Sequence, residues 1–473
     1  MRVNIKSTAE AARTEPRAKT TMMMAYADRY AAGKTLREAC PRASHAAWKA
    51  PARRSDPVEL VLAAEKGRVP DLLPLRHGRM VKSAFTFYRG AALTMATDLA
   101  STPTTGVRVQ CCGDAHLCNF GGFATPERRI LFSINDLDET LPSPWEWDVK
   151  RLAPSFVVAC RDNGLSDAVA RDVALTCVRS YRESMAEFSR MKTLDLWYTA
   201  LWADDLLQTL KDPMLRRRAI KRIEKERARS RGEEIFPKLV EQKGEVPVIK
   251  DQLPTIFHVQ GHTPGQVHGM VMDAVAGYRD SLPTCLQSLF DRYELRDAAV
   301  KVVGVGSVGT ACFVLLYMAG DADPLFLQAK EARASVLEPF AGASVFRNHG
   351  QRVVEGYRLM QPASDMFLGW THGKLGRDFF VRQLRDVKIS PMVETFGANE
   401  MSIYAVWCGR ALALSHARSG SPATLSGYMG KSDAFDRAIA DFSMAYADQN
   451  EKDHAAFERA VRSGKVKAVF EKN

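Results

Sequence analysis

The chain of 473 residues has nine cysteines, an odd number, and no second cluster to set beside Cys111, Cys112 and Cys118. The spacing of a zinc finger is therefore missing, and a reduced protein is expected rather than a disulfide scaffold. No apolar stretch near the start is free of charge: MRVNIKSTAEAARTEPRAKTTMMMAYADRY interrupts each one, so it holds no secretory core. A cytoplasmic location is expected, with residues 1–25 as a disordered tail. Internal repeats and low-complexity tracts are also lacking, which excludes solenoids and fibres. One uncharged run, VVGVGSVGTACFVLLYMAG at 302–320, approaches bilayer-spanning length. Four glycines interrupt it, and two strands joined by a glycine loop explain the same apolarity, so no membrane span is expected.

What is present is a globular composition, 46% hydrophobic and 26% charged, long enough for a substantial core. The net charge of +11 makes polyanions plausible partners, from nucleotide phosphates to nucleic acid. Much of that excess lies in KDPMLRRRAIKRIEKERARSRG at 211–232, where no aromatics are interleaved for base stacking. It reads as a solvated helix face, and nucleic acid is not required. Oligomeric state is not legible in these patterns.

Helical periodicity dominates residues 160–232, 400–417 and 432–463, and RHGRMVKSAFTFYRGAALTMATDLA reads as a loop entering a helix. Between the helical blocks, AVKVVGVG, SVGTACFVLLYM and LFLQAK read as three antiparallel strands separated by a glycine loop and a DADP turn. A helix, NHGQRVVEGYRLMQPAS, and two more strands, MFLGW and RDFFVRQL, follow. The pattern predicts an α+β fold. In HVQGHTPGQVHG, Gly261, Pro264 and Gly265 break any helix that would align His258, His262 and His268, so no metal site is expected there.

Gly304, Gly306 and Gly309 satisfy GxGxxG after an apolar strand, and Ser307 lies among them. A dinucleotide fold needs a helix next, whereas TACFVLLYM is dense in branched and aromatic residues and favours a second strand. A glycine hairpin of that kind can cover nucleotide phosphates with backbone N–H groups. Lys330 closes the third strand, where a kinase places the lysine that meets the phosphates. An exposed strand-end lysine is the alternative. Its expected carboxylate partner is Glu355, or else Glu338, although Arg352 and Arg358 can claim Glu355 as a surface pair.

CGDAHLCNFG, residues 112–121, crowds Asp114, His116 and Asn119 into six positions. Turn chemistry alone could explain Asp and Asn there. Protein kinases, however, separate a substrate-facing Asp and a metal-binding Asn by the same five positions. The run resembles the GDxHxxN catalytic loop of the aminoglycoside and choline phosphotransferases, and INDLDE resembles their strand-end metal motif. That resemblance implies Asp114 and His116 as catalytic residues and Asn119, Asp136 and Asp138 as Mg²⁺ ligands. Gly304, Gly306, Ser307, Gly309, Lys330 and Glu355 would bind ATP. WEWDVKRLA resembles the later segment in which an aspartate, here Asp148, supports the loop from below; an ordinary helix-start acid is the alternative.

The glycine loop follows the catalytic loop by nearly two hundred residues, the reverse of kinase order, so the resemblance implies a two-lobed, circularly permuted kinase-like fold with extra helices. Residues 26–298 would form the catalytic-loop region, 299–390 the nucleotide region and 391–473 the helices completing the first. RHGRM, FYRGAA, CGDAHLCNFG, INDLDET, WEWDVKRLA and GVGSVG also resemble domain-of-unknown-function family 2252 of bacteria, over roughly residues 30–465. The expected activity is ATP- and Mg²⁺-dependent phosphotransfer to an unidentified acceptor. An inactive nucleotide-binding regulator and a metal-dependent phosphoesterase remain alternatives. Arg76, Arg79 and Arg89 are candidates for an anionic acceptor, or else pair with surface acids.

Overall fold

The computed structural model describes residues 24–229, 236–244, 246–258, 271–272, 275, 277–302, 304–306, 308–320, 323–373, 376–384 and 387–471. Ser307, His262, His268 and residues 1–23 of the expected tail lie outside that set. The fold is α+β, with several small antiparallel sheets beside a large helical layer.

Helix Trp145–Asp162 runs through the middle of that layer and is buried from Trp145 to Cys160. Several of its polar residues survive burial because they find partners. Glu146 accepts from Thr105 N at 2.7 Å, Lys150 reaches the Pro103 carbonyl at 3.2 Å, and Trp145 Nε1 meets Thr105 Oγ1 at 3.0 Å. Helices Asp167–Phe188, Ala398–Ser419 and Ala434–Arg462 pack around it. At Gly409 the backbone of helix Asp167–Phe188 comes so close that a Cβ would overlap the Cys177 carbonyl. RHGRM is helical rather than a loop. Pro74 opens helix Leu73–Met80, and Ser83 caps Ala84–Gly90 with a reciprocal Thr86 bond, so three short helices replace one.

Four strands frame the CGDAHLCNFG loop: β1 (Arg108–Cys111), β2 (Phe120–Ala124), β3 (Ile130–Ile134) and β4 (Leu141–Pro144). β1 pairs antiparallel with β4, and β2 with β3, so the loop leaves one ladder and enters the other. Strands β5 (Val240–Lys243) and β6 (Val246–Ile249) form a hairpin against the larger sheet.

That sheet has six antiparallel strands: β7 (Ile256–Phe257), β8 (Glu294–Lys301), β9 (Cys312–Ala319), β10 (Asp323–Ala332), β11 (Gly369–His372) and β12 (Asp378–Gln383). Their spatial order is β11-β12-β10-β9-β8-β7, and β13 (Lys388–Ile389) joins β2 instead. The glycine run joins β8 to β9, as the aromatic and branched residues after it require. The sheet also takes in residues 256–257 and 294–298, ahead of the boundary expected at 299. Helix His349–Met360 packs on β11 and β12, and its Asn348 cap accepts from Gln351 N at 2.9 Å while donating to Asp378 at 3.0 Å.

Candidate functional site

The tight start of the CGDAHLCNFG loop depends on Gly113, whose φ of +84° favours glycine. A Cβ there would also overlap the Glu139 carbonyl. The N–H groups of Cys112 and Gly113 donate to the Asp148 carboxylate at 2.6 and 3.0 Å, and His416 Nε2 lies 3.1 Å from the same carboxylate. Asp148 thus anchors the loop from the central helix. Cys111 joins Asp148 and His416 in a fully buried cluster within 4.8 Å, but the carboxylate is already engaged by the loop backbone.

One turn beyond Asp148 on that helix, Arg151 donates to Asp114 Oδ1 from Nε at 2.9 Å and Nη2 at 2.7 Å. It also donates to the Tyr88 carbonyl at 2.7 Å. Sequence reasoning missed Arg151, although its i, i+3 offset from Asp148 was the available signal. Asn119 Nδ2 donates to the Asp114 carbonyl at 2.8 Å, closing the loop. His116 is buried with Nε2 3.8 Å from Asp114 and Nδ1 without a partner. Burial, aided by the nearby Arg89 and Arg151 charges, outweighs the Asp114 carboxylate and holds its pKa down to about 4. The imidazole is neutral at pH 7.

The chain leaving β3 carries Asp136 and Asp138 toward β10, where Phe326, Gln328 and Lys330 alternate onto one face. Lys330 pairs with Asp138, and its Nζ is 4.0 Å from Asp136. Burial, and then the charge on Asp136, pushes the Asp138 carboxyl up to about 7. Burial opposes ionisation of Asp136 too, but the Lys330 ammonium, a hydrogen bond with Asp138 and Arg382 hold it well below the usual carboxylate range. Asp138 Oδ1 is buried and accepts nothing. An unpartnered carboxylate oxygen beside a second carboxylate, with the Asn119 amide on the same cleft wall, is an oxygen-rich donor set suited to a hard divalent cation.

Glu355 is not the partner of Lys330. It pairs with Arg358 at 3.1 Å on the half-exposed face of helix His349–Met360, while Glu338 accepts from Ser335 N at 3.3 Å. The face that meets the site carries Arg352 instead, donating to the carbonyls of Thr140, Asp138 and Arg333 at 2.6, 2.8 and 2.7 Å. It ties β10 to the chain after β3 without touching a carboxylate. Arg382 completes this side, reaching the Asn135 carbonyl at 3.3 Å and the Tyr357 hydroxyl at 3.2 Å.

Across the cleft, the glycine turn is fixed through its carbonyls. Arg79 donates to Gly304 O at 2.6 Å, Arg68 to Gly306 O and Val308 O at 2.7 Å each, and Val69 N to Gly309 O at 2.7 Å. Val305 packs with Val58, Met80 and Phe87. Gly304 and Gly306 line a cavity of about 260 Å³ together with Asp114, His116, Asn119, Asp136 and Asp138. Lys330 reaches that group through its carboxylate partners, whereas Gly309 lies behind, against Arg68. A larger cavity of about 710 Å³, bordered by Gly121, Ile389 and Trp407 and by Arg218, Lys221 and Arg222 of the basic run, contains none of the cleft's carboxylates or glycine-turn residues.

A family model described as "Uncharacterized protein conserved in bacteria (DUF2252)" matches residues 68–460. The chain belongs to that family. No curated protein and no solved structure matches it. The DUF2252 match takes in every motif residue of the cleft, from Arg68 to Lys330. Among the described residues, no helix is long and apolar enough to cross a membrane.

Proposed function

We propose that this protein is a phosphotransferase that uses a nucleoside triphosphate, ATP, with Mg²⁺, on a circularly permuted kinase-like fold. The observation that carries the reading is the ion pairing of Lys330 with Asp138 and Asp136, residues nearly two hundred positions apart that meet beneath the glycine turn. The sheet supports it. A glycine turn joins its first long strand to the second, a lysine closes the third, and a helix precedes the next two, which is the element order of the kinase nucleotide site. The catalytic loop comes from earlier in the chain, hence the permutation.

In this reading Asp136 and Asp138, with Asn119, hold Mg²⁺, which would screen phosphate charge during transfer. Lys330 is then released from its carboxylates to meet the phosphates as a point charge. Glycine-turn N–H groups face the nucleotide because the carbonyls of that turn are engaged by Arg68 and Arg79. Asp114, held by Arg151, orients the acceptor hydroxyl and takes its proton. His116, neutral and buried, shapes the wall beside it.

Calorimetric titration with a non-hydrolysable ATP analogue, with and without Mg²⁺, tests this. Mg²⁺-dependent binding to the wild type, weakened about tenfold or more by Lys330→Met, is expected. Binding that ignores both Mg²⁺ and Lys330 would sink the proposal. The two bonds from Arg151 that immobilise Asp114 favour one alternative, a nucleotide-binding regulator, which would bind the analogue yet show no turnover with ATP.

A further inference from the structure

The side chains lining the cleft divide into those already engaged and a few that are not. Of the arginines, Arg76 is buried against Glu65 at 2.7 Å and the Gly90 carbonyl, and Arg68 holds the glycine turn. Arg333 is bound to the Ala64 and Lys66 carbonyls. Of the acids, Glu331 pairs with Arg377 at 3.1 Å and Glu139 accepts from Val336 N at 2.7 Å. Two places in the cleft remain open to ligands. One holds the Asp138 oxygen that accepts nothing, beside Asp136.

The other holds Arg89. It lies near the end of helix Ala84–Gly90, where the chain passes under the glycine turn so closely that a side chain at Gly306 would crowd the Arg89 carbonyl. Among the described residues its guanidinium has no ion-pair or hydrogen-bond partner. It stands 5.9 Å from the Phe85 ring centre, and its Nε is buried with nothing to donate to. His116, whose Nδ1 is also buried and unpartnered, lines the same cavity as Arg89, and so do Asp114, Asp136 and Asp138. Leaving a half-buried guanidinium unpaired is unfavourable, and a bound anion removes that penalty. A cation site at the carboxylate pair and an anion site at Arg89, in one cavity with the Asp114 carboxylate, would give donor and acceptor separate anchors.

We propose that Arg89 forms an anion subsite for the acceptor, so that the substrate is a hydroxyl compound carrying a carboxylate or phosphate group. The planar guanidinium fork suits either oxyanion, and the anchored group would set the hydroxyl beside Asp114. Assignment of the anion to an acceptor rests on the phosphotransfer reading; the subsite itself does not.

Inorganic phosphate, titrated calorimetrically with and without saturating Mg²⁺ and non-hydrolysable ATP analogue, is the probe. Wild-type protein is expected to bind phosphate even with the analogue present. R89Q should weaken that binding by about tenfold or more, R89K should keep part of it, and both should bind the analogue within about twofold of wild type. Matching circular dichroism of R89K secures the comparison if R89Q folds poorly. Failure of the wild type to bind phosphate, or equal binding by R89Q, overturns the subsite. Loss of analogue affinity in R89Q, with phosphate displaced by the analogue, moves Arg89 to the donor and overturns the acceptor assignment. If wild type ignores the analogue but still binds phosphate through Arg89, the phosphotransfer reading fails while the subsite stands.

Discussion

The base of the cleft and its glycine-turn side hold their charges in different ways. In the base, charged side chains are buried on one long helix and meet specific partners: Asp148 with two loop N–H groups, Arg151 with Asp114, Glu146 with Thr105. On the glycine-turn side the fastening runs from arginine side chains to backbone carbonyls, as with Arg68 at Gly306 and Arg79 at Gly304. The first arrangement fixes the position of the Asp114 carboxylate through a network in which every member needs its partner. The second fixes a backbone shape whatever the side chains there, which suits a surface that presents N–H groups. Loss of one residue should therefore damage the base far more than the turn.

Asp148→Ala is the most direct way to break that contrast. Removing the carboxylate strands the Cys112 and Gly113 donors and His416 in a fully buried site, so we expect a loss of about 3–5 kcal/mol in urea unfolding. Arg68→Ala, by comparison, removes two charge-assisted bonds to part-buried backbone carbonyls and leaves no charge unpaired, and should cost about 1–2 kcal/mol. Equal losses would show that the two regions are held alike.

The two carboxylate sites sharpen the comparison functionally. Asp114→Asn should leave Mg²⁺-dependent stabilisation by the ATP analogue largely intact in thermal melts while lowering turnover on the order of 10²-fold. Asp136→Asn should abolish the Mg²⁺-dependent part, because a neutral amide is a poorer ligand for a hard cation. Activity and stabilisation kept by both mutants would return Asp114 and Asn119 to ordinary turn residues.

Much of this was legible locally. The strand, glycine turn, strand, strand order of 294–332 follows from branched and aromatic residues bounded by Gly, Asp and Pro, and the helices at 349–360, 398–419 and 434–462 from apolar periodicity. The short motifs also marked the residues that gather at the cleft. What stayed hidden depends on contacts between distant segments. The hold of Arg352 on the carbonyls of Asp138 and Thr140 leaves no trace in spacing, and the offset of Arg151 from Asp148 gives its helix face but not Asp114 as its partner, because any arginine on a helix reads as solvated until its neighbours are known. RHGRM, read as the loop entering a helix, also depends on a distant contact: it is helical, and Gly78 allows close approach to the Val469 carbonyl.

The base also contains a buried histidine that makes its stability depend on pH. His45 is fully buried, 2.7 Å from the Tyr428 hydroxyl, and burial, reinforced by the Lys150 charge, depresses its pKa to about 3. In the unfolded chain it titrates near pH 6.5. Below that value the unfolded state binds the extra proton first, so native stability is complete above about pH 6.5 and falls as the solution is acidified. Between about pH 6.5 and about pH 5 the loss from this one group is about 2 kcal/mol. Urea titrations of wild type and His45→Phe across that range should show a shallower slope in the mutant; parallel slopes would remove His45 from the account.

The smallest expected effect is at Glu355, and it decides how helix His349–Met360 serves the site. If this helix acted through an acid that steadies Lys330, Glu355→Gln would damage analogue binding as severely as Lys330→Met. The helix meets the site through Arg352, and the Glu355–Arg358 pair is about one-third exposed at both partners. An exposed i, i+3 pair contributes at most about 0.5 kcal/mol. Glu355→Gln should therefore change unfolding by no more than that and leave analogue affinity within about twofold of wild type. Arg352→Met should weaken the analogue well beyond that, because it strands three buried carbonyls and frees the Asp138 backbone that the carboxylate pair depends on. A large effect at Glu355 with a small one at Arg352 would mean that the helix shifts when nucleotide binds, exchanging Arg352 for Glu355 at the lysine.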